Sequence, residues 1–115
     1  MQIQGANVFE AGAGFVRREL FIGADGRLGS AGDGGEVLDA AGLYAIPGLV
    51  DIHFHGCMGY DFCDASEEAI QAIADYEAGA GVLAICPATM TFNEEILNGI
   101  ADAAAAHKNG RGADL

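Results

Sequence analysis

Two histidines separated by one residue follow an aspartate in the segment Asp51-Ile52-His53-Phe54-His55. Side chains alternate between the two faces of a strand, so residues 51, 53 and 55 would share a face if the segment is extended. Two imidazoles at this spacing can converge on one cation, as histidine-bound Zn²⁺ sites require. Three polar groups on one strand face need partners if they are buried, and a metal would supply them. The spacing therefore predicts a metal site with His53 and His55 as ligands.

The flanks of the histidine pair predict the element that positions it. Leu49-Val50 is apolar, as in a buried strand, and Gly56 lets the backbone turn away sharply. We therefore expect a strand over residues 49–55. From the spacing alone, the alternative is a half-buried strand that carries two incidental histidines.

The composition of the chain excludes several classes of partner. Its 115 residues include 5 Lys+Arg and 17 Asp+Glu, which gives a net charge of −12. Because so acidic a surface repels nucleic acid and anionic membranes, we expect neither as a partner. The first five residues lack the basic and apolar segments of a signal peptide. Three cysteines without zinc-finger spacing are typical of reduced thiols, so we expect a cytoplasmic protein.

Residues 1–46 form the first of two expected parts. Short apolar stretches alternate with glycine-rich turns, and Asp25-Gly26 is a typical hairpin turn. We therefore expect a small antiparallel β unit. The apolar stretches cover residues 6–10, 15–22, 27–29, 36–38 and 43–46.

Residues 47–115 form the second expected part, in which strands and helices alternate. After the strand over 49–55, the pattern predicts a helix over 66–78, a strand over 82–86 and a helix over about 94–107. The expected N-caps are Asp64 or Ser66 for the first helix and Thr91 or Asn93 for the second. His107, at the end of the second helix, is expected on the surface. This order implies right-handed parallel β/α units.

The segment over residues 43–56, with Pro47-Gly48 followed by a strand ending in His-x-His, resembles the start of the barrel in the amidohydrolase superfamily. Within it, the chain is similar to the N-terminal part of the N-acetylglucosamine-6-phosphate deacetylase family. The narrower resemblance depends on the glycine-containing loop over 55–64 and on residues 79–82 leading to 87–91. It covers residues 43–92 specifically and residues 1–42 loosely.

This resemblance implies an α/β fold: the first two β/α units of a (β/α)₈ barrel over residues 47–115, preceded by part of a small antiparallel β-sandwich over residues 1–46. Such a barrel has about 250 residues, so we expect the chain to be a piece of a larger fold. The activity implied is removal of acetate from N-acetylglucosamine 6-phosphate, with a divalent metal, zinc or iron, as cofactor. The parent protein is expected to be a homodimer that binds an amino-sugar phosphate.

The resemblance also implies a role for individual residues. His53 and His55 would bind metal at the C-terminal end of the first barrel strand. Because both histidines are present, the resemblance allows a second metal position. Asp51 would orient the two ligands or pair with a group deeper in the barrel, and the two roles are rated equally. From their places after the two strands, Gly56, Cys57 and Thr89 are expected in the substrate pocket. The alternatives are a buried reduced thiol for Cys57 and a strand-end hydroxyl for Thr89.

The chain differs from the family because several of the expected metal ligands are missing. The glutamate ligand expected on the third strand, the later histidines and the catalytic aspartate are absent from the 115 residues. We therefore expect no catalytic residue within this chain and no activity from it alone. The alternatives are another amidohydrolase, dihydroorotase-like or aminoacylase-like, or a non-catalytic α/β protein that binds metal or assembles with other chains.

Overall fold

The computed structural model describes residues 1–31, 34–107 and 111–115. The chain divides into two compact units, Met1–Pro47 and Gly48–Leu115. None of the helices in the described part of the chain is long and apolar enough to cross a membrane.

The first unit is a five-stranded sheet. Strand β1 pairs with β2 and, through parallel ladders, with both β4 and β5, while β3 extends the other edge. The strands are β1 (Gln2–Glu10), β2 (Gly14–Ile22), β3 (Leu28–Gly29), β4 (Val37–Asp39) and β5 (Tyr44–Ala45). All five predicted apolar stretches therefore contain strands.

The expectation of a purely antiparallel first unit is wrong. The pairs β1–β2 and β2–β3 are antiparallel, whereas β4 and β5 run parallel to β1. Alternating apolar residues indicate that a segment is extended but not which way it runs beside its neighbour. β4 lies on the side of β1 opposite β2.

The second unit contains a parallel pair of strands, a helix that packs on them and a second helix that packs on the first. Strand β6 (Leu49–Asp51) pairs with β9 (Val82–Ile85), and helices α1 (Glu67–Gly79) and α2 (Glu94–His107) follow the two strands. Asp114 lies parallel to β9 on its other side, because its N–H donates to the Leu83 carbonyl and its carbonyl accepts from Ile85 N–H. The order in space is therefore β6, β9 and then the segment at Asp114.

Apolar side chains on one stripe of α1 form the core of this unit. Ile70, Ile73 and Ala74 are each at most 1 % exposed, and Ile73 packs against Ile85 of β9. Ile100 of α2 completes a second cluster with Ile70. Burial of a large aliphatic side chain stabilises a fold by about 1.5–3 kcal/mol, so this stripe is a main source of stability.

The N-caps of both helices resolve the alternatives that the sequence left open. Ser66 Oγ accepts from Ala69 N–H at 3.2 Å, and Asn93 Oδ1 accepts from Ile96 N–H at 3.0 Å. Asp64 instead belongs to the capping box of a 3-10 turn, Phe62–Asp64, that precedes α1. Each cap satisfies a backbone donor that the helix itself cannot satisfy.

Two predictions about the second unit are wrong in detail. The strand expected over residues 49–55 ends at Asp51, so the histidines lie beyond it. His107 is only 6 % exposed rather than on the surface, and its Nε2 has no hydrogen-bond partner among the described residues. The helix-end position of His107 suggested exposure, but the packing of α2 in the fold buries it.

A hairpin that the sequence did not predict as strands follows the histidine segment. Strands β7 (Gly56–Cys57) and β8 (Tyr60–Asp61) are joined by the two residues Met58 and Gly59. A Cβ at Gly56 would lie 2.8 Å from the Cα of Asp61 and would also collide with the Tyr60 carbonyl oxygen. Gly56 is therefore required by close backbone approach in the hairpin.

Replacing Gly56 with alanine should destabilise the protein by roughly 1–3 kcal/mol, because the backbone of β8 must move to admit the methyl group. Gly79→Ala is the matched control, since a Cβ there meets no described atom within 4 Å. Urea unfolding of both variants measures the difference. Equal stability of Gly56→Ala and the wild type would contradict the packing described for the hairpin.

Candidate functional site

The two histidines come close together just beyond the end of β6. The ring centroids of His53 and His55 are 5.3 Å apart, and the ring planes are inclined at 83°. His53 is exposed and His55 is half-buried. The structure thus brings the two predicted ligands together, although the segment that holds them is not a regular strand.

A hydrogen bond across the sheet fixes the ring of His55. Its Nδ1 lies 2.9 Å from the carbonyl oxygen of Ala88, which follows β9. A carbonyl can only accept, so Nδ1 carries the proton and donates, which leaves the lone pair of the neutral ring on Nε2. This arrangement is typical of metal-binding histidines, whose second ring nitrogen donates to a carbonyl or carboxylate. Nε2 of His55 is therefore the atom available to a metal.

The main chain around the histidines is held by the same neighbouring segment. Cys86 N–H donates to the Asp51 carbonyl and Ala88 N–H donates to the Phe54 carbonyl, each at 2.8 Å. The first bond extends the pairing at the end of β6, and the second lies past the ends of both strands. The histidine segment therefore has a fixed position relative to Ala88.

Asp51 acts on His53 through the backbone. Its Oδ1 accepts from His53 N–H at 3.0 Å, a bond between a side chain and an amide two residues later that closes a turn. This bond explains why the regular strand stops at Asp51. The carboxylate therefore contacts the main chain of His53 and not its ring.

The three predicted pocket residues have different surroundings. Gly56 directly follows His55 and packs against β8. Cys57 packs against the core cluster around Ile73, and burial, followed by the charge of Glu77, raises the pKa of its thiol. Such a thiol stays protonated at neutral pH and is a poor metal ligand. Thr89 is exposed and directly follows Ala88, whose carbonyl binds His55.

The histidine pair supplies only part of a metal site. Across residues 1–31, 34–107 and 111–115, no three or more His, Cys, Asp or Glu side chains are grouped so that they could hold a metal ion. Two imidazoles suit zinc or iron as donors, but catalytic zinc normally has three protein ligands. The described residues therefore fit one side of such a site.

Comparison with known proteins finds similarity to parts of several longer proteins. No family model matches the chain. It is 41 % identical over 59 residues to a dihydroorotase of Pelotomaculum thermopropionicum, covering 46 % of this chain and 14 % of that protein. It is 39 % identical over 46 residues to an N-acetylglucosamine-6-phosphate deacetylase of Vibrio furnissii, covering 40 % of this chain and 12 % of that protein. An imidazolonepropionase of Methylobacterium sp. is 35 % identical over 102 residues, covering 78 % and 25 %.

A solved structure is similar to this chain over nearly its whole length. The crystal structure of N-acetylglucosamine-6-phosphate deacetylase from Thermotoga maritima superposes with a TM-score of 0.73 and covers 93 % of this chain and 28 % of that one. The chain resembles the N-terminal region of an amidohydrolase. The resemblance predicted from the sequence is confirmed; at 17 % identity, the structural match shows the fold alone. The chain spans between an eighth and about a quarter of the lengths of these relatives.

Replacing His53 or His55 with asparagine should weaken zinc binding by on the order of 10–100-fold, because each change removes one of two nitrogen donors. His107→Asn is the matched control, since that histidine lies at the end of α2 outside the pair. Equilibrium dialysis against Zn²⁺ measures all three variants. Unchanged zinc affinity in both His53→Asn and His55→Asn would show that the metal binds elsewhere.

Proposed function

We propose that this chain is the N-terminal portion of a metal-dependent amidohydrolase, with His53 and His55 as metal ligands. The observation that carries the proposal is the pair itself: two imidazoles stand 5.3 Å apart at the exit of two parallel strands, one of them oriented by the Ala88 carbonyl. Active sites of β/α barrels lie at the carboxyl ends of the strands. The similarity to three kinds of amidohydrolase supports the same conclusion.

The proposed fold of the parent protein is a (β/α)₈ barrel together with a small β-sandwich. The sequential parallel order β6, β9, Asp114 supports the barrel, because barrel strands follow one another around the sheet in chain order. Each strand is followed by a helix that packs on the same unit. The sheet of residues 1–47 would supply part of the sandwich.

The proposed substrate is N-acetylglucosamine 6-phosphate, hydrolysed to glucosamine 6-phosphate and acetate. The support is the loop over 55–64, the Vibrio deacetylase match and the Thermotoga fold match. The chemistry that zinc or iron supplies when bound is polarisation of the amide carbonyl and activation of water. In this chain, His53 and His55 would bind the metal and Asp51 would hold the first of them in place. The general acid/base would come from elsewhere in the parent protein.

The location and assembly of the parent protein are further parts of the proposal. We place it in the cytoplasm as a homodimer. The three cysteines form no disulfide within the described residues, which suits a reducing compartment. An acidic chain of this kind is not expected to bind nucleic acid or anionic membranes.

A second candidate is hydrolysis of a cyclic amide. The dihydroorotase match has the highest identity of the three relatives described above, and the imidazolonepropionase match spans 78 % of the chain. These relatives share the amidohydrolase resemblance, so the site geometry suits both candidates. The substrate assay separates them.

The full gene product that contains this chain, loaded with Zn²⁺, should release acetate from N-acetylglucosamine 6-phosphate, and His55→Asn should abolish most of that release. His107→Asn is the control variant. The 115-residue chain alone should release none, because two ligands do not complete a catalytic metal site. Hydrolysis of dihydroorotate or imidazolonepropionate without acetate release would replace the deacetylase proposal with the second candidate.

A further inference from the structure

Met58 occupies a backbone conformation that its own residue type does not favour. The turn between β7 and β8 has positive φ at both central residues, 56° at Met58 and 85° at Gly59. This is the pattern of a type I′ turn, in which asparagine or glycine is strongly preferred at the first position. A side chain with a Cβ is strained there, and methionine has no polar group to bond its own backbone.

The side chain at this strained position is apolar and open to solvent. Met58 is 68 % exposed, so packing against the described residues does not account for a methionine there. The rest of the hairpin is firmly held: Gly56 packs against β8, Tyr60 OH donates to Glu68 at 2.9 Å, and Phe62 N–H donates to the His55 carbonyl at 2.7 Å. Strain that persists on a rigid support is typical of ligand-contacting positions.

The position of the turn connects Met58 with the metal ligands. Met58 lies three positions after His55, so their Cα atoms are at most about 11 Å apart. An amide whose carbonyl is held near Nε2 of His55 would place its attached groups within reach of a methionine side chain. The flexible, polarisable thioether adapts to small apolar groups.

We infer that Met58 contacts the acyl group of the amide substrate and helps to determine which acyl groups are accepted. The inference rests on the proposed function, since it takes an N-acylated amino sugar as the ligand. If only the turn conformation mattered at this position, asparagine or glycine would be favoured. A contact between the methionine side chain and the ligand would explain why methionine is present instead.

The test is an NMR titration of the Zn²⁺-loaded full gene product that contains this chain, labelled with ¹³C at the methionine methyl groups. The Met58 signal is assigned by its loss in Met58→Asn. The Met58 methyl signal should shift with N-acetylglucosamine 6-phosphate and not with glucosamine 6-phosphate, which lacks the acyl group. The imidazole signals of His53 and His55 report ligand arrival independently.

The outcomes separate this inference from the proposed function. Imidazole shifts without a Met58 shift, or equal Met58 shifts with both sugars, would overturn the acyl contact alone. No response from either group of signals with the acetylated sugar would overturn the acyl contact together with the proposed substrate.

Substitution of Met58 by asparagine provides a second test of the acyl contact. Met58→Asn should raise Tm, because asparagine tolerates the left-handed conformation, and should weaken binding of the acetylated sugar severalfold. Ala65→Asn is the matched control: Ala65 has a φ of 51° at the end of the 3-10 turn, so it relieves the same kind of strain away from the tip. It should raise Tm with no change in affinity. Unchanged affinity in Met58→Asn would contradict the role given to this side chain.

Discussion

The hydrogen bond from His55 Nδ1 to the Ala88 carbonyl is the interaction on which the candidate site depends. It joins the segment after β6 to the segment after β9, and it determines which nitrogen of the ring is free for a metal. The bond exists because the two strands pair in parallel and their pairing continues through Phe54 and Ala88. That pairing in turn depends on α1, whose buried stripe holds β9 in place.

The same construction explains how a short chain can hold two histidines in a defined geometry. Asp51 closes a turn on His53 N–H, while the hairpin after His55 is anchored through Phe62 and by the close approach at Gly56. Each histidine is therefore fixed by a different neighbour, one through the backbone and one through its ring. In the proposed metal site this pair would supply two ligands, and further ligands would complete it.

Much of this could be predicted from local patterns in the sequence. The helices over 67–79 and 94–107, and the strand after the first helix, follow from apolar periodicity and capping residues, which act over a few residues. The His-x-His pair was found from spacing alone. The parallel pairing of β4 and β5 with β1 and the burial of His107 were not, because each depends on a partner distant in sequence. The end of β6 at Asp51 was also missed, because the alternating pattern of residues 49–55 does not show the turn that Asp51 closes on the His53 N–H. The contact between His55 and Ala88 could not be predicted either, because every residue has a backbone carbonyl and the sequence does not show which one a histidine contacts.

The central claim is that His53 and His55 bind one metal ion together. X-ray absorption spectroscopy at the zinc edge of the Zn²⁺-loaded chain tests it most directly. The account predicts two imidazole nitrogens at about 2.0–2.1 Å, with the remaining ligands oxygen. A spectrum with sulfur at about 2.3 Å, or without the outer-shell scattering of imidazole rings, would contradict it.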